Sequence, residues 1–318
     1  MEAARDSTAV RESERMTIRY DNRVAIVTGA GAGLGREHAL LLASRGAKVV
    51  VNDPGGAVDG RGTANTVADR VVEEIRAAGG TAVANYNSVA DWTSAQAIVQ
   101  TAIDNFGKID ILVNNAGILR DKSFHKMEPA DFEFVVQVHL MGTVYCTMAA
   151  WPHMREAKYG RVVVTTSGSG TVGNFGQSNY GAAKMAVNGM INCLRFEGAK
   201  YNILCNAISP SAKTRMTEGL IPEAVLEFMK PELVSPAVAW MASEECNVSG
   251  EIIGANAGFY KRVKYIESEG VQFDPTKPIT VDMFAEALPR IMDISKPVEH
   301  GFGTPRLEAR LKAMGLIK

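Results

Sequence analysis

Tyr180 and Lys184 stand four residues apart where apolar spacing predicts a helix over 179–200, so both side chains share one face at its start. Such a pair is cheap. Eight Tyr and fifteen Lys in 318 residues give about 0.4 chance occurrences, and a second pair exists at Tyr260 and Lys264. Ser167 separates the two. It precedes Tyr180 by thirteen residues at the end of a predicted strand, whereas the matching position before Tyr260 is Asn247. Demanding that serine lowers the chance expectation to about 0.02. A phenol with a pKa near about 10 is mostly protonated at neutral pH. An ammonium about 5 Å away, at an effective dielectric of about 20, favours phenolate by about 3 kcal/mol, or about two pKa units. Tyr180 is thus a candidate to take a proton from an alcohol or give one to a carbonyl, with Ser167 holding the same oxygen. The competing reading is a surface Tyr–Lys pair beside a loop serine.

A second constellation is Thr28-Gly-Ala-Gly-Ala-Gly-Leu-Gly35, between the first predicted strand and the first predicted helix. Gly29 and Gly33 permit a tight turn and close approach of backbone to a ligand. The helix that starts with Leu34 and Gly35 offers N–H groups and a positive dipole end to a pyrophosphate. Asp53 closes the second strand, where the adenosine ribose of a dinucleotide would lie. A carboxylate there accepts both ribose hydroxyls but repels a 2′-phosphate by about 4 kcal/mol per unit charge at about 4 Å. No Arg or Lys occurs between Gly29 and Gly35. These residues point to NAD rather than NADP; the alternative is that Asp53 merely starts a loop.

Positioning these groups requires a regular scaffold, and the pattern supplies one. β-rich runs at 24–27, 48–51, 82–86, 109–113, 161–165, 203–207 and 251–254 alternate with helical spacings. Those helices fall after the glycine turn and around 67–75, 91–106, 131–154, 179–200 and 235–243. Such alternation predicts right-handed βαβ units and an α/β, doubly wound parallel sheet. Residues 1–20 are polar and aperiodic and predict a flexible tail, with Met16 an alternative start. Residues 21–259 are expected to form the dinucleotide-binding domain. Residues 260–318 predict a C-terminal helical extension, with a helix over 280–292 and a last amphipathic turn marked by Leu307, Leu311 and Met314, that packs on the core or on a partner subunit. The Met-rich, proline-interrupted segment 215–230 predicts a helical, mobile lid over the substrate.

With 46% hydrophobic residues, 22% charged and a formal charge of −1, the chain has a globular composition and no basic block. Nucleic acid and anionic membrane are therefore not expected partners. Cys146, Cys193, Cys205 and Cys246 are scattered in apolar surroundings and read as buried free thiols of a reducing compartment. No HExxH or other ligand cluster suggests a metal. The apolar stretch 134–154 is interrupted by Gln137, His139, Gly142 and Pro152, and reads as a helix buried in protein rather than lipid. Without a signal-peptide core or peroxisomal C-terminus, cytoplasm is the expected location.

The glycine turn at 28–35, Asn114-Asn-Ala-Gly117, Ser167 and Tyr180-x-x-x-Lys184 together resemble the short-chain dehydrogenase/reductase family. The resemblance implies a seven-stranded Rossmann sheet and an NAD-dependent oxidoreductase. It places Asn87 and Ser88 by the adenine, Asn114, Ala116 and Gly117 along the cofactor, and Pro210 by the nicotinamide. Lys184 would also grip the nicotinamide ribose, beside Tyr180. The helices at 131–154 and 179–200 would form the interface of a homodimer or tetramer. Finer runs, Val50–Gly56, Asn115–Asp121, Val138–Leu140, Gly173–Gln177 and Ser295–Pro297, resemble one branch, the (3R)-hydroxyacyl-CoA dehydrogenase modules of peroxisomal multifunctional enzymes type 2. That branch implies oxidation of a (3R)-3-hydroxyacyl-CoA in fatty acid or sterol side-chain metabolism. Alternatives are a hydroxysteroid or other secondary-alcohol dehydrogenase, and a dinucleotide-binding regulator without turnover. Where the wider family carries an active-site Asn, this chain has His139, or Leu140 by the usual spacing; His139 either organises proton-relay water or is a packed helix residue. The family's threonine near the carboxamide falls on Arg215.

Overall fold

Strand formation here follows burial on both faces, which favours unbroken apolar runs over alternation. β1 (Val24–Thr28) is buried at every position, and β2 (Lys48–Asn52) at all but its first. The computed structural model describes residues 17–214, 222–298 and 305–318. Residues 1–16 of the expected tail and the lid residues 215–221, Arg215 among them, lie outside those residues. The expectation of a flexible tail through residue 20 is corrected at its end: Tyr20 is buried in the core and its hydroxyl donates to the Ala239 carbonyl. β3 (Thr81–Asn85), β4 (Ile111–Asn114), β5 (Gly160–Thr165), β6 (Ile203–Ser211), β7 (Ile252–Asn256) and β8 (Phe259–Val263) complete one sheet of order β3-β2-β1-β4-β5-β6-β7-β8. β1 through β7 pair in parallel. The order reverses between β1 and β4, and in open α/β sheets ligands bind beyond the strand ends at that point.

The resemblance implied seven strands; the eighth is an addition. Ala257 and Gly258 both take positive φ (47° and 82°), the geometry of a type I′ turn, and two residues can join only antiparallel neighbours. β8 is therefore a hairpin edge on a parallel sheet.

Helices α1 (Gly33–Ser44), α2 (Thr66–Ala77), α3 (Trp92–Phe106), α4 (Pro129–Ala157), α5 (Ser178–Gly198) and α6 (Ser235–Ala242) cover the sheet. Leu42, Val71, Ile75, Val238 and Met241, from α1, α2 and α6, pack with Ala25, Val27, Val49 and Val51 into one core cluster. Asp91 caps α3 by accepting from the Ser94 N–H at 3.1 Å. α4 is long and apolar enough to cross a membrane by composition, yet it lies against α3, β4, β5 and α5 within the same unit. Residues Gln137–Met141 within α4 are π-helical, a distortion common at functional sites. Three of the thiols are buried as expected, but Cys193 is exposed. It lies two residues, about 200° of helical rotation, from buried Ile191, on the outer face of α5.

The segment expected to form a helical lid contributes only a single turn, Glu223–Leu226, among its described residues. The chain divides into two compact units after Arg262. The second contains α7 (Val281–Ile291), capped by Thr280, whose hydroxyl accepts from the Met283 N–H, and α8 (Pro305–Ala313). An antiparallel bridge within it pairs Glu267 with Val298.

Candidate active site

The glycine turn sits at the end of β1, and its shape is held by groups outside the turn's own motif. Thr28 Oγ accepts from the N–H of Asn115 and of Ala116 at 3.0 and 3.1 Å. The Asn115 amide donates to the carbonyls of Thr28 and Gly29. Gly29 has φ +63°, and a Cβ there would lie 2.7 Å from Ala116 Cα, so only glycine fits. Of the two neighbouring asparagines, it is Asn115 that clamps the turn; Asn114 donates to Thr147 on α4 at 3.1 Å. The doubled Asn was the one available signal.

α1 then begins at Gly33 with Ala32 as an N-cap that offers no side-chain acceptor and with no acid in the first turn. Its first N–H groups are thus presented to an external anion. Asp53 accepts from the N–H of Gly31 at 2.8 Å and of Gly55 at 2.7 Å, which brings the end of β2 against the turn. A cavity of about 220 Å³ opens beside Gly31, Gly33, Val67 and Arg70. Arg36 also lines it, one residue beyond the cation-free stretch 29–35, but its guanidinium pairs with Glu37 and Glu74. Asn87 and Ser88 follow β3: Asn87 is tied by backbone to the side chains of Asn52 and Asn85, and Ser88 Oγ accepts from Ala90 N–H. Pro210 lies near the end of β6, in register with Ala255. A carboxylate at the end of β2 against the glycine turn, an uncapped helix start and a backbone that admits no Cβ fit a dinucleotide.

Ser167, Tyr180, Lys184 and His139 converge on one another. Ser167 leaves the end of β5 and caps a short helical turn, its Oγ accepting from Ser169 N–H at 3.2 Å. It also shares a hydrogen bond with the Tyr180 hydroxyl. Lys184 Nζ stands 5.5 Å from the Tyr180 ring centroid and donates to the Thr165 carbonyl at 2.5 Å. The His139 ring meets Tyr180 edge-on at 5.0 Å between centroids. Its Nε2 lies 3.0 Å from Ile118 N and 2.7 Å from Ile118 O, while Nδ1 is buried without a hydrogen-bond partner. Gly117 makes room for this ring, since a Cβ there would lie 2.3 Å from His139 Cε1.

One electrostatic expectation is reversed. Distance alone has the ammonium acidify the phenol; instead burial pushes the Tyr180 phenol up, opposed by the Ser167 hydrogen bond and reinforced by the Asp121 charge. The same burial pulls Lys184 down from 10.5 to about 7. A desolvated site penalises both charges together, and that outweighs their attraction. Burial first, then the Lys184 charge, holds His139 well below its ordinary range, so the imidazole is neutral.

A further cavity, of about 730 Å³, is bordered by Lys213, Leu226, Phe228, Lys230 and Leu233. Lys213 pairs with Glu223. Among the described residues, no group of three or more His, Cys, Asp or Glu is placed to hold a metal ion.

Comparison with known proteins accords with this geometry. The short chain dehydrogenase family model matches residues 23–224. A short-chain type dehydrogenase/reductase of Mycobacterium tuberculosis is 52% identical over 281 residues, which span 88% of this chain and 98% of that protein. The peroxisomal multifunctional enzyme type 2 of Drosophila melanogaster is 49% identical over 281 residues, or 88% of this chain and 46% of that enzyme. Its full-length structure superposes with a TM-score of 0.79 at 41% identity, covering 94% of this chain and 50% of that one. The chain thus spans about half the length of that multifunctional relative. A 7α-hydroxysteroid dehydrogenase solved with NADH and a 7-oxo bile acid superposes with a TM-score of 0.68 at 30% identity, over 76% of this chain and 95% of that one. The chain belongs to the short-chain dehydrogenase family: it is an oxidoreductase whose fold and family imply a nicotinamide dinucleotide cofactor.

Proposed function

We propose that the chain is an NAD-dependent dehydrogenase that interconverts a (3R)-3-hydroxyacyl-CoA and its 3-oxoacyl-CoA. The observation that carries the reading is the convergence of Ser167, Tyr180 and Lys184 beyond the strand ends, beside the glycine turn. In the oxidative direction Tyr180 Oη takes the proton of the substrate hydroxyl as the C3–H bond breaks and the carbonyl forms. When bound in its oxidised form, the nicotinamide supplies the hydride acceptor and a positive charge that favours the phenolate. Ser167 holds the substrate oxygen at the phenol. Lys184 steadies the phenolate and reaches towards the cofactor ribose, and neutral His139 packs edge-on against the Tyr180 ring. Gly29, Gly33, Leu34, Gly35, Asn87, Ser88, Asn114, Ala116, Gly117 and Pro210 border the dinucleotide.

Asp53 against the glycine turn supports NAD, since a 2′-phosphate would meet its charge while Arg36 is held by Glu37 and Glu74. Identity with the multifunctional enzymes and the branch-specific runs support the acyl-CoA substrate. Exposed Met148 on α4 and Met185 and Phe196 on α5 support a homo-oligomer formed through those helices. The free thiols are consistent with a reducing compartment such as the cytoplasm. A second reading, a hydroxysteroid dehydrogenase, is favoured by the bile-acid-bound neighbour. A regulator without turnover is disfavoured, because the reactive side chains are present and assembled. A panel of (3R)- and (3S)-3-hydroxyacyl-CoA esters and hydroxysteroids, followed by NADH and NADPH absorbance, separates these readings. NAD reduction with the (3R) thioesters is expected; turnover with steroids alone would replace the substrate assignment.

A further inference from the structure

The runs Asn115–Asp121 and Gly173–Gln177 are far apart in sequence, yet the structure joins them. Gln177 is buried. Its Nε2 donates to Asp121 Oδ2 at 2.6 Å, and its Oε1 accepts from Ser169 Oγ at 2.6 Å and from Asn174 Nδ2 at 3.1 Å. Ser169 in turn donates its backbone N–H to Ser167 Oγ, and Ser167 bonds the Tyr180 hydroxyl. Asp121, Gln177, Ser169 and Ser167 thus form one polar cluster beside Tyr180. Two flanking bonds fix the same loop to the start of α5. Asn179 Nδ2 donates to the Arg120 carbonyl at 3.0 Å while its Oδ1 accepts from Tyr180 N–H, and Lys122 N–H donates to the Gly176 carbonyl at 2.9 Å.

The direction of these bonds matters. An ionised carboxylate only accepts, so it orients the Gln177 amide with its nitrogen towards Asp121 and its oxygen towards Ser169. Ser169 then spends its hydroxyl proton on Gln177 and its N–H on Ser167. Ser167 Oγ, already accepting, has its own proton left for the phenolate or the substrate oxygen. We propose that Asp121 is a positioning residue for the dehydrogenase reaction: through Gln177 and Ser169 it holds the turn that presents Ser167 to Tyr180, and its negative charge opposes ionisation of Tyr180 until the site is loaded. The inference rests on the proposed role of Tyr180 as the proton acceptor.

The charged and titratable groups around Tyr180 come from four places. Lys184 is on its own helix, His139 on α4, Asp121 on the loop after β4, and Ser167 follows β5. Arg120 and Lys122, which flank Asp121, are paired with Asp131. Asp121 is exposed at the rim, so solvent screens its charge and the electrostatic part of its effect is modest.

Asp121→Asn leaves an amide oxygen that can accept from Gln177 and removes the charge, whereas Gln177→Leu removes the link between Asp121 and Ser169. In Asp121→Asn, the acid limb of kcat against pH for alcohol oxidation is expected to move by a few tenths of a pH unit towards acid, with both KM values unchanged. In Gln177→Leu, plateau kcat is expected to fall by about tenfold with dinucleotide Kd unchanged. An acid limb in Asp121→Asn that superposes on wild type overturns the proposal, whether or not Gln177→Leu folds. Tyr180→Phe belongs in the same series. If it retains turnover, the reading of Tyr180 and this inference both fall; if it is inactive and the limb is unmoved, only this inference falls.

Discussion

Tyr180–Lys184 and Tyr260–Lys264 share one spacing, but helix α5 carries the first and strand β8 begins the second. On a helix four residues span about 6 Å and share a face; in extended chain they span roughly 13 Å. Burial differs as sharply. Lys184 is 3% exposed and is pulled down to about 7, while the Tyr260 ring is 43% exposed and its hydroxyl donates to the Leu233 carbonyl at 2.6 Å. Ser167 faces Tyr180, and the residue thirteen before Tyr260 is an asparagine. Spacing becomes chemistry only when an element folds it onto one face and a neighbouring strand end supplies the third group.

The hardest test of that contrast is removal of each hydroxyl. Tyr180→Phe is expected to lower turnover by at least about 100-fold while dinucleotide Kd changes by less than about twofold, because only the proton acceptor is lost. Tyr260→Phe is expected to leave turnover within about twofold of wild type. Steady-state rates and a fluorescence titration with NADH read both. Equal losses in the two variants would end the distinction.

Lys184 gives the next largest effect, read without any substrate. Its pKa falls from 10.5 in the unfolded chain to about 7 in the fold, chiefly by burial. The unfolded state therefore binds more protons between those values, so the penalty for burying the charge is complete below pH 7 and is relieved as pH rises towards 10.5. Buried Cys146 and Cys205, pushed up to about 12, work in the opposite sense at alkaline pH. The informative quantity is thus the difference between wild type and Lys184→Met, in which the thiols cancel. In dinucleotide-free protein, urea denaturation should show wild type gaining on the variant by up to about 5 kcal/mol across that window. Parallel curves would mean that Lys184 is solvated and that its resemblance to exposed lysines is closer than the geometry says.

Much of this arrangement was legible because it depends on local rules. Continuous apolar runs and helical spacings marked the parallel strands and their crossovers, and the glycine turn marked where β1 hands over to α1. Tyr180, Lys184 and Ser167 were found because two lie on one helical turn and the third ends a strand. What escaped was set by contacts between distant segments. Nothing local says that Gln177 will reach Asp121, that Asn115 rather than Asn114 clamps the turn, or that Arg36 is held by Glu74. The π-helical stretch that brings His139 against Tyr180 lies inside an otherwise regular helical pattern. The electrostatic sign at Tyr180 was missed because distance alone entered the argument, and desolvation of both partners decided it.

The smallest expected effect completes the contrast by inverting it. Tyr260→Phe removes a hydroxyl that bonds the Leu233 carbonyl at an exposed site. Water can replace the lost donor there, so the cost is expected at about 0.5–1 kcal/mol, seen as a slightly lower denaturation midpoint with no change in its steepness. Tyr180→Phe should do the reverse. Its hydroxyl sits in the cleft beside Ser167, where desolvation already disfavours its charged form, so losing it removes one polar interaction but also one desolvated polar group. One tyrosine would then matter to stability and not to turnover, the other to turnover and hardly to stability. A stability loss in Tyr180→Phe larger than that in Tyr260→Phe would show that the cleft tyrosine is also a structural support.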